Sequence, residues 1–200
     1  LRTLPLPVDF ARGAVHYPRM TTRPFLIAAA AAALLAPVPG SAALKQGAKA
    51  PEIVTSGALA GKTFSFDLQK ALKQGPVVLY FFPKAFTQGC TLEAHAFAEA
   101  MPQFKAAGAQ VVGLSADDLP TLQKFSTEEC RDAFPVAQAS AQTIKSYDVA
   151  FARDGKDTGL SDRTSYVIAP SGKVVMVHSD LDWRKHVELT LAAVKSLGKP

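Results

Sequence analysis

Val77-Val78-Leu79-Tyr80-Phe81-Phe82 is an unbroken apolar run of strand length, rich in β-branched and aromatic residues. Such a run predicts a central strand covered on both faces. Gln110 to Leu114 predicts a second buried strand. Between them Cys90, Ala94, Phe97, Met101 and Phe104 recur at helical spacing, which predicts a helix from Cys90 to about Ala106, stopped at Gly108. That spacing places the Cys90 thiol at the edge of the core-facing stripe, partly sheltered. Asp118 is positioned to cap a further helix, with Pro120 in its first turn and Leu119, Leu122 and Phe125 as its apolar face. Cys130 falls near the end of that helix.

The remaining elements are shorter. Ala50–Ile53 and Thr63–Phe66 read as strands around Gly57 and Gly61, and Asp67 as the cap of a short helix through Leu72. Gln142–Tyr147 reads as helical. Arg163–Ile168 and Lys173–His178 flank the turn Ala169-Pro170-Ser171-Gly172, a hairpin pattern. A last helix, about Trp183 to Leu197, packs through Val187, Leu191 and Val194. Strands alternating with helices, closed by a hairpin and a helix, give one α/β domain.

The first 43 residues have a different character. Phe25 to Ala36 is an uninterrupted apolar run, preceded by Arg19 and Arg23 and followed by Pro37, Pro39, Gly40 and Ser41-Ala42-Ala43. A charged start, a short apolar centre and small residues form the pattern of a secretory signal, cleaved after Ala42 or Ala43. The run is too short to span a bilayer comfortably. Met20 would open the signal, leaving Leu1–Arg19 as an upstream extension. The expected organisation is therefore 1–43 removed and 44–200 retained as one domain. The whole chain has 22 basic and 17 acidic side chains, and the first 43 residues hold four arginines and Asp9, leaving 18 against 16. The basic character belongs mostly to the signal, and nucleic-acid binding has no support.

Two cysteines remain, Cys90 and Cys130. In an exported chain they could form one structural disulfide. They make neither a Cys-x-x-Cys dithiol nor, with His95, His178 or His186, a tightly spaced zinc set. These histidines read as surface or satisfied polar residues, and no metal or cofactor is assigned. Cys90 stands out by position. A thiol where a strand turns into a helix sits by the positive end of the helix dipole, which favours the nucleophilic thiolate.

Pro83, Thr87 and Cys90 carry the spacing Pro-x-x-x-Thr-x-x-Cys, which resembles the active-site motif of the peroxiredoxins, closest to the Q-type or bacterioferritin-comigratory-protein branch. Leu79-Tyr80-Phe81-Phe82-Pro83-Lys84, Cys90-Thr91-Leu92-Glu93 and Asp162-Arg163-Thr164-Ser165-Tyr166-Val167-Ile168 match in the family's order, from about Lys45 to Leu197. The resemblance implies a thioredoxin-like fold, a central mixed β-sheet flanked by helices. It implies a peroxidase in which the Cys90 thiolate attacks a hydroperoxide and becomes a sulfenic acid. Thr87 would offer its hydroxyl to the thiolate or peroxide, or cap the helix. Pro83 would shield the site, or simply end a strand. Free backbone N–H groups at Gly89 and Cys90 would take up the developing oxyanion. Arg163 would reach the sulfur, with Glu93 orienting it or favouring the helix start.

Two departures from the family pattern matter. Gln88 replaces the proline of Thr-Pro-x-Cys, and His95 stands where some Q-type members carry a resolving cysteine. Cys130 is then the intramolecular candidate for resolving Cys90, against a one-cysteine enzyme with Cys130 free. The resemblance implies hydroperoxides as substrates and a thioredoxin-like or glutaredoxin-like thiol reductant, exported or membrane-linked. The signal pattern implies export to the periplasm without stable membrane insertion after cleavage, and the resemblance implies a monomer or weak dimer. Thiol–disulfide exchange and a redox-sensing or structural disulfide stay open as other functions.

Overall fold

The computed structural model describes residues 43–198. The signal expected in residues 1–43 therefore lies outside the described residues, Ala43 excepted. A seven-stranded mixed sheet forms the centre. Its strands in chain order are β1 (Val54–Leu59), β2 (Lys62–Asp67), β3 (Val77–Phe81), β4 (Gln110–Ser115), β5 (Val136–Gln138), then β8 (Thr164–Ile168) and β9 (Val174–Ser179). Across the sheet they run β2-β1-β5-β4-β3-β8-β9. Strands β3, β4 and β5 are parallel, and the pairs at either side are antiparallel. A separate hairpin pairs β6 (Ala150–Arg153) with β7 (Lys156–Ser161). The helices are α1 (Leu68–Leu72), α2 (Gln88–Ala106), α3 (Leu119–Glu128), α4 (Ala141–Ser146) and α5 (His186–Leu197).

Every residue of β3 is buried, as its unbroken apolar run requires. Its alternate side chains feed two cores. Val77, Leu79 and Phe81 join Leu68, Leu72 and Ile144, under α1 and α4. Val78, Tyr80 and Phe82 join Phe97, Phe104, Leu122, Phe125 and Val194, under α2, α3 and α5. Both cysteines lie in this second core.

Several boundaries differ from expectation. Ala50–Ile53 is not strand; the first strand begins at Val54 and contains Gly57. Pro51 has no N–H to give a ladder, and the pairing with β2 begins beyond it, at Val54. Asp67 and Asp118 do cap their helices, accepting from Lys70 N at 3.1 Å and Thr121 N at 2.9 Å. Helix α2 starts two residues before Cys90. Trp183–Lys185 forms a 3₁₀ turn ahead of α5. Strand β5 and the β6–β7 hairpin were not expected.

One register matters most for function. Phe81 pairs with Thr164 across β3 and β8. Residue 163 therefore lies at the sheet end from which the chain leaves β3 for the Cys90 helix. The chain there is held from two further places. Ser161 Oγ donates to the Phe82 carbonyl at 2.8 Å, and Ala85 N donates to Asp117 Oδ2 at 2.7 Å.

Tyr80 occupies its core position because Gly113, its neighbour on β4, has no side chain. A Cβ there would lie 2.7 Å from the Tyr80 ring. That ring is stacked on Phe97 and cannot yield. Gly113→Ala should destabilise the fold by about 1–3 kcal/mol through overpacking. Urea denaturation checks this, and an unchanged midpoint would refute it.

Candidate active site

The Cys90 loop is built from short-range constraints. Phe86 takes a left-handed backbone, φ 61, and its ring meets Phe125 of α3 edge-on at 5.3 Å. Thr87 is the N-cap residue of α2 by backbone, but its side chain does not cap the helix. Its Oγ1 donates instead to the Lys84 carbonyl at 2.9 Å. Pro83 is half-buried just past the end of β3. Cys90 follows in the first turn of α2 and is only 1% exposed, so the expectation of a partly sheltered thiol needs correction. Phe82, Ala85, Ala94 and Phe97 belong to the same buried cluster as Cys90.

Arg163, 73 residues further along, reaches this sulfur. Its Nη2 donates to Cys90 Sγ at 3.4 Å, and the residue is 5% exposed. Its Nε donates to the Leu181 carbonyl at 2.9 Å, and its Nη1 pairs with Glu93 Oε2. The guanidinium fork is thus shared between sulfur, carboxyl and carbonyl, a geometry that lysine cannot reproduce. Gly89 leaves room for it: a Cβ there would lie 3.1 Å from Arg163 Nη2.

Glu93 comes one turn after Cys90 on α2 and is fully buried. Burial, opposed by Arg163, pushes its carboxyl up to about 8. Its Oε1 has no hydrogen-bond partner, and His186 Nδ1 lies 3.7 Å away. His186 is buried as well, and burial lowers it to about 4. The neutral ring is satisfied without a second proton. Nε2 donates to the Asp180 carbonyl at 2.9 Å, and Nδ1 accepts from Ser165 Oγ at 2.8 Å. His186 is therefore a satisfied polar residue but not a surface one.

Cys130 sits two residues past α3, fully buried, and both cysteines are free thiols. Burial, then the Glu129 charge, pushes the Cys130 thiol well above the usual cysteine range. Two polar contacts tie its flanks to α2: His95 Nε2 to Glu129 Oε2 at 2.8 Å and Arg131 Nη1 to Glu99 Oε1 at 3.3 Å. Arg131 and Asp132 both take left-handed backbone, φ 52 and 57. Two such non-glycine residues in succession carry strain.

The structure thus brings Cys90, Arg163 and Glu93 into contact, with Thr87 and Pro83 on the loop before them. Gly89, expected for its backbone N–H, belongs to the same assembly, as do Ser165, His186 and the Asp180–Leu181 carbonyls, whose part in it was not anticipated. A signal existed for His186: with Thr190 and Val194 it forms the buried i, i+4, i+8 face of α5. Chemically, a buried sulfur beside a fixed cation at a helix start suits attack on a polar bond whose leaving atom takes negative charge.

Comparison with known proteins gives the same direction. The sequence model of the AhpC/TSA family matches residues 46–177. The peroxiredoxin Bcp of Xanthomonas campestris pv. campestris is 30% identical over 126 residues, 62% of this chain and 78% of that protein. A chloroplastic peroxiredoxin Q of Populus jackii is 35% identical over 139 residues, 68% of this chain and 62% of that protein. Among solved structures, peroxidoxin BcpB of Mycobacterium tuberculosis superposes with a TM-score of 0.68 at 29% identity, covering 77% of this chain and 98% of that one. Xanthomonas campestris peroxiredoxin Q gives 0.63 at 28%, covering 72% and 91%. The mixed sheet with helices on both faces is the thioredoxin-like arrangement expected from the sequence. With its cysteine motif and its fold in agreement, the chain belongs to the AhpC/TSA family, on the Bcp and peroxiredoxin Q branch.

Proposed function

We propose that this thiol-dependent peroxidase reduces hydroperoxides at Cys90, with Arg163 as the charge partner of the reacting sulfur. The observation that carries the reading is the 3.4 Å contact from Arg163 Nη2 to Cys90 Sγ in a site closed to solvent. The Cys90 thiolate attacks one peroxide oxygen, the O–O bond breaks, and the second oxygen leaves as water or alcohol after taking a proton. Arg163 and the helix-start N–H groups at Gly89 and Cys90 stabilise the charge on the departing oxygen. Thr87 is the hydroxyl at the entrance, and Pro83 keeps water from the sulfur. A solved structure of Xanthomonas campestris bacterioferritin comigratory protein is described by its alkyl peroxide reduction activity, and it is 28% identical to this chain with a TM-score of 0.63. Small organic hydroperoxides beside hydrogen peroxide are the substrate class proposed here.

Cys130 is the proposed resolving cysteine. In the closed fold its buried, protonated thiol is a weak nucleophile. On this reading the Cys90 sulfenic acid is resolved by local release of residues 129–133, which carry the fully buried Cys130 thiol. Their strained backbone at Arg131 and Asp132, just past a helix end, favours that release. The same burial supports the second reading, a one-cysteine cycle completed by an external thiol. In either cycle a thioredoxin-like or glutaredoxin-like protein supplies the electrons.

Export to the periplasm is proposed from the pattern of residues 1–43, with residues 44–200 retained as a monomer or weak dimer. No helix among the described residues is long and apolar enough to cross a membrane. An exported or membrane-linked reductant follows from that location.

Cys90→Ser should abolish peroxide consumption and leave the melting of the reduced protein nearly unchanged. A large fall in melting temperature would assign Cys90 a mainly structural role. Arg163→Lys keeps the charge and loses the fork. It should slow Cys90 oxidation by about 10²–10³-fold, the scale of losing a donor that stabilises a developing oxyanion. Stopped-flow fluorescence of Trp183, the single tryptophan, provides the readout. Intact mass after one equivalent of hydrogen peroxide separates the two cycles. Loss of both alkylatable thiols without added oxygen assigns Cys130 the resolving role; oxygen on Cys90 with Cys130 still alkylatable assigns the one-cysteine cycle.

A further inference from the structure

Resting on Cys90 as the reacting thiol, we infer that Glu93 is a proton-holding positioning residue: a neutral acid while Cys90 is a thiolate, and a carboxylate once Cys90 is oxidised. The argument begins with a charge count. Among the described residues, Arg163 is the cation that touches both Cys90 Sγ and Glu93. A thiolate and a carboxylate together would place two buried anions on one buried guanidinium. The excess charge would have no water to solvate it.

The surroundings of Glu93 fit the neutral form. Oε2 meets Arg163, and Oε1 receives no hydrogen bond at all. A buried carboxylate normally collects donors at both oxygens. The polar atom facing Oε1 is His186 Nδ1 at 3.7 Å, already an acceptor for Ser165 Oγ. His186 does not supply the missing positive charge: burial, with His178 and Arg163 nearby, holds the ring neutral against the Asp180 carbonyl, and Nδ1 accepts from Ser165 Oγ. From β3 the nearest titratable group is Tyr80, buried and unpartnered at its hydroxyl. Apart from Arg163, the groups around Glu93 — Cys90 on its own helix, Tyr80, His178, His186 and Asp180 — include no fixed cation. The raised carboxyl, near 8, agrees with this geometry.

The same count follows the reaction. The thiolate, the hydroperoxide and one proton become a sulfenic acid and an alcohol. The S–O bond forms, the O–O bond breaks, sulfur loses two electrons and the peroxide gains them. The departing alkoxide needs one proton. When the sulfur becomes a neutral sulfenic acid, Arg163 loses its anionic partner there and pairs one to one with Glu93 carboxylate. Glu93 thus gives up one proton in the step that requires one, and the buried cluster stays neutral before and after.

The test is a reduced-minus-oxidised infrared difference spectrum of the full chain carrying Cys130→Ser, which stops the cycle at the sulfenic acid. One equivalent of hydrogen peroxide should remove a protonated-carboxyl C=O band and create a carboxylate band. The C=O band should shift in heavy water, and both signals should be missing in Glu93→Gln. Oxygen added to Cys90, shown by mass, with no change in any carboxyl band would overturn the inference. No oxygen on Cys90 at all would overturn the peroxidatic assignment beneath it. A second readout is the pH profile of Cys90 oxidation. In the parent chain the rate should fall severalfold as pH rises through about 8, where Glu93 becomes a carboxylate and competes for Arg163. Glu93→Gln should lack this alkaline step. If the parent shows no step, or the variant keeps it, Glu93 is not the group that titrates. Should Glu93→Gln fail to fold, the parent infrared spectrum alone decides the outcome.

Discussion

A guanidinium closed off from water must spend its N–H groups on acceptors and its charge on an anion. The Arg163 fork meets this demand with three partners: Cys90 Sγ, the Glu93 carboxyl and the Leu181 carbonyl. The partners come from two separate parts of the chain, helix α2 and the turn after β9. Cys90 and Glu93 share one helix face at i, i+3. Leu181 lies in the turn that follows β9, next to Asp180, whose N–H donates to the Arg163 carbonyl at 3.1 Å. Moving any of these elements by a few ångströms leaves a buried charge or donor unpaired, at a cost far above that of a surface contact.

The sheet makes this precision available. Strand β3 is buried along its whole length and pairs on both sides, so its register is set by packing rather than by one turn. Its end carries the Cys90 loop, and β8 delivers Arg163 to the same end. Aromatic rings then fill the layer between sheet and helices. Tyr80 stacks on Phe97 at 4.4 Å, Phe82 on Phe125 at 5.3 Å, and Phe86 continues the series to the loop surface. Through Phe125 the loop that holds one thiol touches the helix that ends near the other.

How much of this could be read from the sequence depended on the range of the interactions. The β3 run, the α2 stripe, the caps at Asp67 and Asp118 and the β8–β9 hairpin are set by neighbours a few residues apart. Pro83, Thr87 and Cys90 were legible for the same reason. The approach of Arg163 to Cys90 spans 73 residues, and only family resemblance suggested it. His186 was hidden because the last helix was read from its aliphatic positions, Val187, Leu191 and Val194, whereas the buried face is His186, Thr190 and Val194. A polar face satisfied by Ser165 and a backbone carbonyl leaves no hydrophobic trace. The β6–β7 hairpin is largely exposed and has no apolar alternation to betray it, although Asp154-Gly155, both left-handed, carried a turn signal. Full burial of Cys90 was understated because periodicity along one helix does not register what the β3 end and its loop place over it.

The separation of Cys90 and Arg163 along the chain has a further meaning. Before β3 and β8 are zipped together, the chain holds two ordinary cysteines and a distant arginine, with nothing to distinguish them from thiols in any extended polypeptide. A slip of one residue in that pairing would turn the side chains of β8 to the opposite face and carry Arg163 away from the sulfur. On the proposed role of Cys90, sensitivity to oxidant thus belongs to the paired strands and not to the thiol alone. On that role, a chain not yet paired at β3 and β8 keeps that thiol dormant, and correct pairing is what makes it reactive.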